Sequence, residues 1–201
     1  MVFYKLGFER KSNFIRKTSE TEINISINLD GRGKVEASTG IGFFDHMLDL
    51  LGKHSGIDIM LEARGDLAVD AHHTVEDVAI CMGKALKESL GEKKGITRYG
   101  HIILPMDEAL VLVALDLSGR GYLGLEATFP ASRVGNMDSE LVEEFLRSLA
   151  MNGGITLHVR VLAGRNTHHI IEAIFKGLAR ALKMAVAHGA GEEVPSTKGV
   201  L

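Results

Sequence analysis

The 201-residue chain contains one cysteine, three prolines and no tryptophan, and it has no apolar run approaching the ~18 residues that a membrane-spanning helix requires. The lone Cys81 cannot close an internal disulfide, and the first twenty residues, MVFYKLGFERKSNFIRKTSE, scatter charge through any would-be signal-peptide core. Both features predict a protein that stays in a reducing cytoplasm. The scarcity of proline leaves no linker or low-complexity tract. There is no basic excess either: 23 Lys and Arg stand against 26 Asp and Glu, a net charge of -3, so neither nucleic acid nor an anionic membrane is an expected partner. Four catalytic signatures are missing as well. The chain has no GxxxxGK(S/T), no GxGxxG between a strand and a helix, no GxSxG and no CxxC, which leaves nucleotide, dinucleotide, serine-hydrolase and dithiol chemistry without support.

What remains is ordinary for a globular chain, 45% hydrophobic and 24% charged, with one exception. There are nine histidines, and four of them form two adjacent pairs. Those pairs anchor an internal repeat. DAHHTVEDVAICMGKAL (70–86) lies without gaps over NTHHIIEAIFKGLARAL (166–182), and FDHMLDLLGKHSGIDIMLEARG (44–65) lies over VEEFLRSLAMNGGITLHVRVLAG (142–164) with a small length difference in the turn.

Periodicity supplies the elements. Ile23, Ile25, Ile27 and Leu29 alternate as a strand over 22–30, and a Gly-Arg-Gly turn leads to a short strand near 34–39, a pair that reads as a hairpin. A helix follows at 43–54, a strand at 57–63 and a long helix from 71 to 90. In the second half strands are expected at 99–105, 109–117 and 121–128, a helix at 139–151, a strand at 155–162 and a helix at 168–187. The economical way to bury these elements is an α+β fold of duplicated half-domains, each a four-stranded sheet with two helices on one face. The predicted division is a first half over 1–93, a second over 94–190 and a C-terminal tail over 191–201.

The chemistry sits in HHxxE, present as His72-His73-x-x-Glu76 and His168-His169-x-x-Glu172. On a helix Glu76 lies about 40° and His73 about 100° from His72, beside the apolar stripe of Val75, Val78, Ala79, Met82 and Leu86 and not within it. Two imidazoles and a carboxylate in one turn suit a borderline divalent cation such as Mn, Fe, Co, Ni or Zn. Adjacent histidines splay by about 100°, so one ion is not expected to take both, and ligands shared between sites and halves, with two metals, are predicted. His46 precedes the first unit, and Glu144 takes the matching place before the second. His54, His101, His158 and His188 lack such support and are read as structural. SGRG (118–121) and PSTKGVL (195–201) would suit a phosphate and would equally suit a turn.

Taken together, INLDGRG (27–33), GIGFFDHML (40–48), DAHHTVED (70–77), GITRYG (95–100), MDEAL (106–110), DLSGR (116–120), LVEEFLRSL (141–149), GITLHV (154–159), THHIIEAIFKGLARAL (167–182) and STKGVL (196–201) resemble the imidazoleglycerol-phosphate dehydratase family over nearly the whole chain. The resemblance implies a duplicated fold similar to the second domain of ribosomal protein S5, assembled into a 24-subunit shell with active sites at subunit interfaces. It implies two Mn²⁺ per active site, held by His46, His72, His73, Glu76, Glu144, His168, His169 and Glu172. Some members carry histidine at the position of Glu144. It further implies a phosphate clamp of Arg98, Arg120, Lys176, Ser196 and Lys198, with Glu20 and Asp107 near the substrate and His46 also in contact with it.

The implied reaction is loss of water from D-erythro-imidazoleglycerol phosphate to give imidazole-acetol phosphate in histidine biosynthesis. An unactivated C–H proton must leave, so the substrate's own imidazole, polarised by metal, has to assist. Glu20 or Glu172 would take the proton; Glu20 ranks first because Glu172 is a candidate ligand. Two other readings of the same residues stand beside this one, a dinuclear metallohydrolase and a non-catalytic metal-binding shell.

Overall fold

The computed structural model describes residues 10–189, 191–199 and 201. Residues 1–9 of the predicted first half and residues 190 and 200 lie outside the described residues, as does the part of the N-terminal leader reading that falls on 1–9. The first half runs β1 (Lys11–Lys17), β2 (Thr21–Asn28), β3 (Val35–Ser38), α1 (Gly42–Ser55), β4 (Asp58–Gly65) and α2 (His72–Leu90). The second runs β5 (Tyr99–Met106), β6 (Ala109–Asp116), β7 (Tyr122–Glu126), β8 (Arg133–Val134), β9 (Met137–Asp138), α3 (Leu141–Gly153), β10 (Thr156–Ala163) and α4 (Thr167–Val186).

The two sheets have orders β1-β2-β4-β3 and β5-β6-β10-β7, and equivalent strands pair in equivalent senses. The first three strands in each order pair antiparallel, and the last strand is parallel to its neighbour, β3 to β4 and β7 to β10. The predicted duplication is therefore visible strand by strand. The expected hairpin between the strands near 22–30 and 34–39 is not formed. β4 sits between them, because β3 and β4 are joined through α1, and a helical crossover delivers the next strand parallel. The Gly-Arg-Gly segment serves instead as a bridge clamped by Asp58, whose Oδ1 accepts from the backbone N–H groups of Arg32 and Lys34, each at 2.8 Å. The hairpin partner of β2 is β1, which the sequence reading missed, since its inward residues are Ser12, Phe14 and Arg16 and only one is apolar. Ser12 donates to the Ala85 carbonyl at 2.8 Å and Arg16 to Asp77 at 2.8 Å, so the strand is tied to α2 by polar contacts.

α2 lies over β1 and β2, and α4 lies over β5 and β6. The halves then join reciprocally, α1 against α4 and α2 against α3, so four helices fill the space between two sheets. α1 and α3 stop at the left-handed glycines Gly56 (φ 81°) and Gly154 (φ 63°), which turn the chain into β4 and β10. At Gly83 a Cβ would stand 2.8 Å from the backbone of Gly153 and Leu149, so the α2–α3 approach requires glycine there. The centre of the helix layer is Phe44, Phe145 and Phe175, with Phe145 edge-on to Phe44 at 5.4 Å and stacked on Phe175 at 5.0 Å. Phe145→Ala is expected to destabilise by about 3–5 kcal/mol, measurable as a lower denaturant midpoint. Cys81 is buried on α2, and burial pushes its thiol up to about 11. Among the described residues no helix is long and apolar enough to cross a membrane.

Candidate metal centre

The HHxxE units open α2 and α4, where a polar side chain just upstream fixes each start. Asp70 accepts from the His72 N–H at 2.8 Å, and Asn166 accepts from His168 at 2.9 Å and His169 at 3.4 Å. The α1–α4 contact brings His46 to the second unit. Glu172 Oε2 lies 3.0 Å from His168 Nε2 and 3.9 Å from His46 Nε2, and one donor atom from each residue falls within 4.8 Å of the others. Such a spread is what ligands at about 2.0–2.3 Å from a common ion produce, so this donor set fits a divalent metal. It draws on both halves, His46 coming from the first and His168 and Glu172 from the second.

Glu172 is the buried member, with a side chain 10% exposed. Burial alone would push its carboxyl up, but the Lys176 ammonium, 2.5 Å away, and His168 outweigh it and hold the group below the ordinary carboxylate range. Lys176 therefore sits with the metal set and not with the other clamp candidates. The counterpart contact, α3 against α2, carries Glu144 on one helix and His72 and Glu76 on the other. Among the described residues these three are not gathered at ligand distance, and Glu144 accepts from Ser148 at 3.0 Å.

The second histidine of each pair faces a different carboxylate. His73 Nδ1 is 3.0 Å from Asp66 and 3.9 Å from Glu20; His169 Nδ1 is 2.7 Å from Glu108, with Asp107 at 3.6 Å from Nε2. The hydrogen bonds to Asp66 and Glu108 push both imidazoles above their ordinary value. Asp66 and Glu108 are absent from the set read out of the sequence. A signal for Glu108 existed in the repeat: it immediately precedes β6 as Glu20 immediately precedes β2.

Arg98, Arg120, Ser196 and Lys198 do come together, lining a cleft of about 620 Å³ with Tyr99, Pro195, Thr197 and Leu201. Arg98 is a scaffold as much as a donor, since its guanidinium forks onto Asp116 at 2.7 and 3.0 Å and holds the tail through the Pro195 carbonyl at 2.7 Å. Among the described residues neither Arg120 nor Lys198 pairs with a carboxylate, which leaves their charge for an anion.

The cleft and the histidines occupy opposite ends of the second half. Arg98 precedes β5 and Asp107 follows it, and eight strand residues span about 25 Å. α4 gives the same measure: the Arg98 N–H donates to the Ala185 carbonyl, sixteen residues or about 24 Å along the helix from His169.

A family model described as imidazoleglycerol-phosphate dehydratase matches residues 39–182. Proteins of that name from Desulforamulus reducens and Acetivibrio thermocellus are 58% and 59% identical, over 96% of this chain and 98% and 100% of theirs. The crystal structure of imidazoleglycerol-phosphate dehydratase from Staphylococcus aureus superposes with a TM-score of 0.81 at 42% identity, over 89% of this chain and 99% of that one.

Proposed function

Because the chain belongs to the imidazoleglycerol-phosphate dehydratase family, a hydro-lyase of histidine biosynthesis, we propose that its active site is a two-Mn²⁺ centre completed between copies of the chain. The observation that carries this reading is the separation just described. The glycerol phosphate arm of the substrate reaches about 8 Å at ~1.5 Å per bond, a third of the distance from the cationic cleft to the histidines. One copy would hold the ring at His46, His168 and Glu172 while the cleft of another receives the phosphate.

The outer faces of the sheets support assembly. Both carry exposed apolar side chains, Ile15 and Met60 at 65% and 52% on the first, among Asn13, Asn24, Ser26, Glu36 and Glu62, and Tyr99, Ile103, Tyr122 and Leu162 at 52%, 57%, 53% and 49% on the second. An apolar face of that kind on a folded chain marks a contact surface. The proposed assembly is the 24-subunit shell of the family resemblance, and the proposed compartment is the cytoplasm. The hydrolase and inert-shell readings are not favoured.

Within the site, His46, His72, His73, Glu76, Glu144, His168, His169 and Glu172 would hold the ions. Bound Mn²⁺ supplies Lewis-acid polarisation of the substrate imidazole. Glu172, engaged by Lys176 and His168, is committed to holding, whereas Glu20, with a side chain 52% exposed, is free to accept the substrate C–H proton. Asp107 orients the ring beside His169. Arg120, Ser196 and Lys198 would bind the phosphate, and Arg98 keeps the tail in place.

The test is turnover of imidazoleglycerol phosphate by metal-stripped protein with and without Mn²⁺, following imidazole-acetol phosphate. Product should depend on Mn²⁺; metal-independent turnover would end the two-ion reading. Acid should also release the metal, because protons compete with metal for imidazole and carboxylate ligands. Retained Mn²⁺, measured after dialysis at stepped pH, should therefore fall as the pH is lowered.

A further inference from the structure

Glu108 does more than approach His169. Its Oε1 accepts from the backbone N–H of Asn166 at 2.8 Å and of Arg165 at 3.2 Å, while Oε2 meets His169 Nδ1 at 2.7 Å. The carboxylate is thus fixed by the backbone just ahead of α4 and grips the ring from a set direction. We propose that Glu108 is a positioning residue that selects the proton-bearing nitrogen of His169, placing the proton on Nδ1 and leaving the Nε2 lone pair outward for the metal. Asp66 does the same for His73 from the loop after β4, with both oxygens at 3.0 and 3.2 Å from Nδ1.

The argument is one of donors and acceptors. An ionised carboxylate can only accept, and Glu108 already acts as an acceptor through Oε1 towards two backbone N–H groups. Nδ1 must therefore donate, and the neutral ring presents Nε2 unprotonated. Nε2 lies on the other side of the ring from Glu108, 3.6 Å from Asp107 and beyond hydrogen-bond reach of it. Such outer carboxylates fix the orientation and raise the basicity of ligand histidines. The duplication supplies the device twice from unrelated positions: Glu108 precedes β6, whereas Asp66 follows β4.

The inference rests on the reading of His169 and His73 as ligands, and the variants separate the two claims. In Glu108→Gln the Asn166 and Arg165 N–H groups demand the amide oxygen, so the amide NH₂ is turned to His169. It can only donate, which drives the ring proton to Nε2 and blocks ligation. Glu108→Ala loses the backbone acceptor as well. Mn²⁺ affinity of the metal-depleted, assembled protein should fall about 10–100-fold in the Gln variant, with the melting temperature kept near that of the parent, and both should fall in the Ala variant. Asp66→Asn should move Mn²⁺ affinity in the same direction.

A merely structural carboxylate predicts the opposite for Gln, rescue of stability and of Mn²⁺ affinity together, and that result would overturn the proposal. His169→Ala is the control on the premise. If it binds Mn²⁺ like the parent, the ligand reading fails and takes this inference with it; if it loses Mn²⁺ while Glu108→Gln does not, only the positioning role is lost.

Discussion

His168→Ala is expected to lower kcat by about 10³-fold or more, the equivalent of the several kcal/mol that a Lewis-acid ion contributes to a transition state. The ring is one of three donors in the α1–α4 cluster and the nearest partner of Glu172 Oε2 at 3.0 Å. Removing it leaves two ligands and takes from a buried carboxylate one of the groups that keep it ionised. The fold should tolerate the change, because His168 sits at the rim, 43% exposed, and touches Phe43 across 5.1 Å without entering the core. The measurement is kcat together with the Mn²⁺ content of the purified variant, with circular dichroism as the control. A variant that keeps its metal and turns over within tenfold of the parent would remove His168 from the ligand set.

Two dead variants should revive each other. Arg120→Ala strips the cleft of an unpaired cation, and His168→Ala disables the metal cluster; each alone is expected to be inactive at working substrate concentrations. If an active site draws its cluster from one copy and its cleft from another, random co-assembly pairs a sound cluster with a sound cleft in about a quarter of sites. Activity of the mixture, unfolded and refolded together or co-expressed, should therefore rise to about a quarter of the parent's. Mixing the separately assembled proteins without subunit exchange should give nothing. Failure to recover activity in verified mixed assemblies would place cluster and cleft in one copy, against the ~25 Å that β5 and α4 put between them.

The helices are legible in the sequence because their signals are local. HHxxE stands at the head of two strongly periodic segments, and the repeat made each half a check on the other. β1 was not legible because its inward face is Ser12, Phe14 and Arg16, a polar face stabilised by contacts with Ala85 and Asp77 some sixty to seventy residues away. The Gly-Arg-Gly turn carries a local hairpin signal, but α1 joins β3 to β4 and makes that pair parallel, with β4 between β2 and β3. The short β8–β9 hairpin, which brings Asn136 to the start of α1, carried no periodic signal at only two residues per strand. Which helix meets which is a tertiary fact. His46 and Glu172 are 126 positions apart, and only the reciprocal packing of the halves brings them together. Glu108 carries no motif of its own, and only the equivalence of the positions before β2 and β6, where Glu20 and Glu108 stand, marks it in the sequence.

The single buried thiol also makes the protein its own stopwatch. With Cys81 sealed on α2 and its proton held to about pH 11, a thiol-specific dye has nothing to react with until α2 lifts from its neighbours. The pace of labelling then counts those openings directly. A native-state clock of that kind usually has to be engineered by deleting other cysteines; in this chain none need be removed. Following it with and without Mn²⁺ would reveal whether filling a site at the head of a helix quiets breathing along its length.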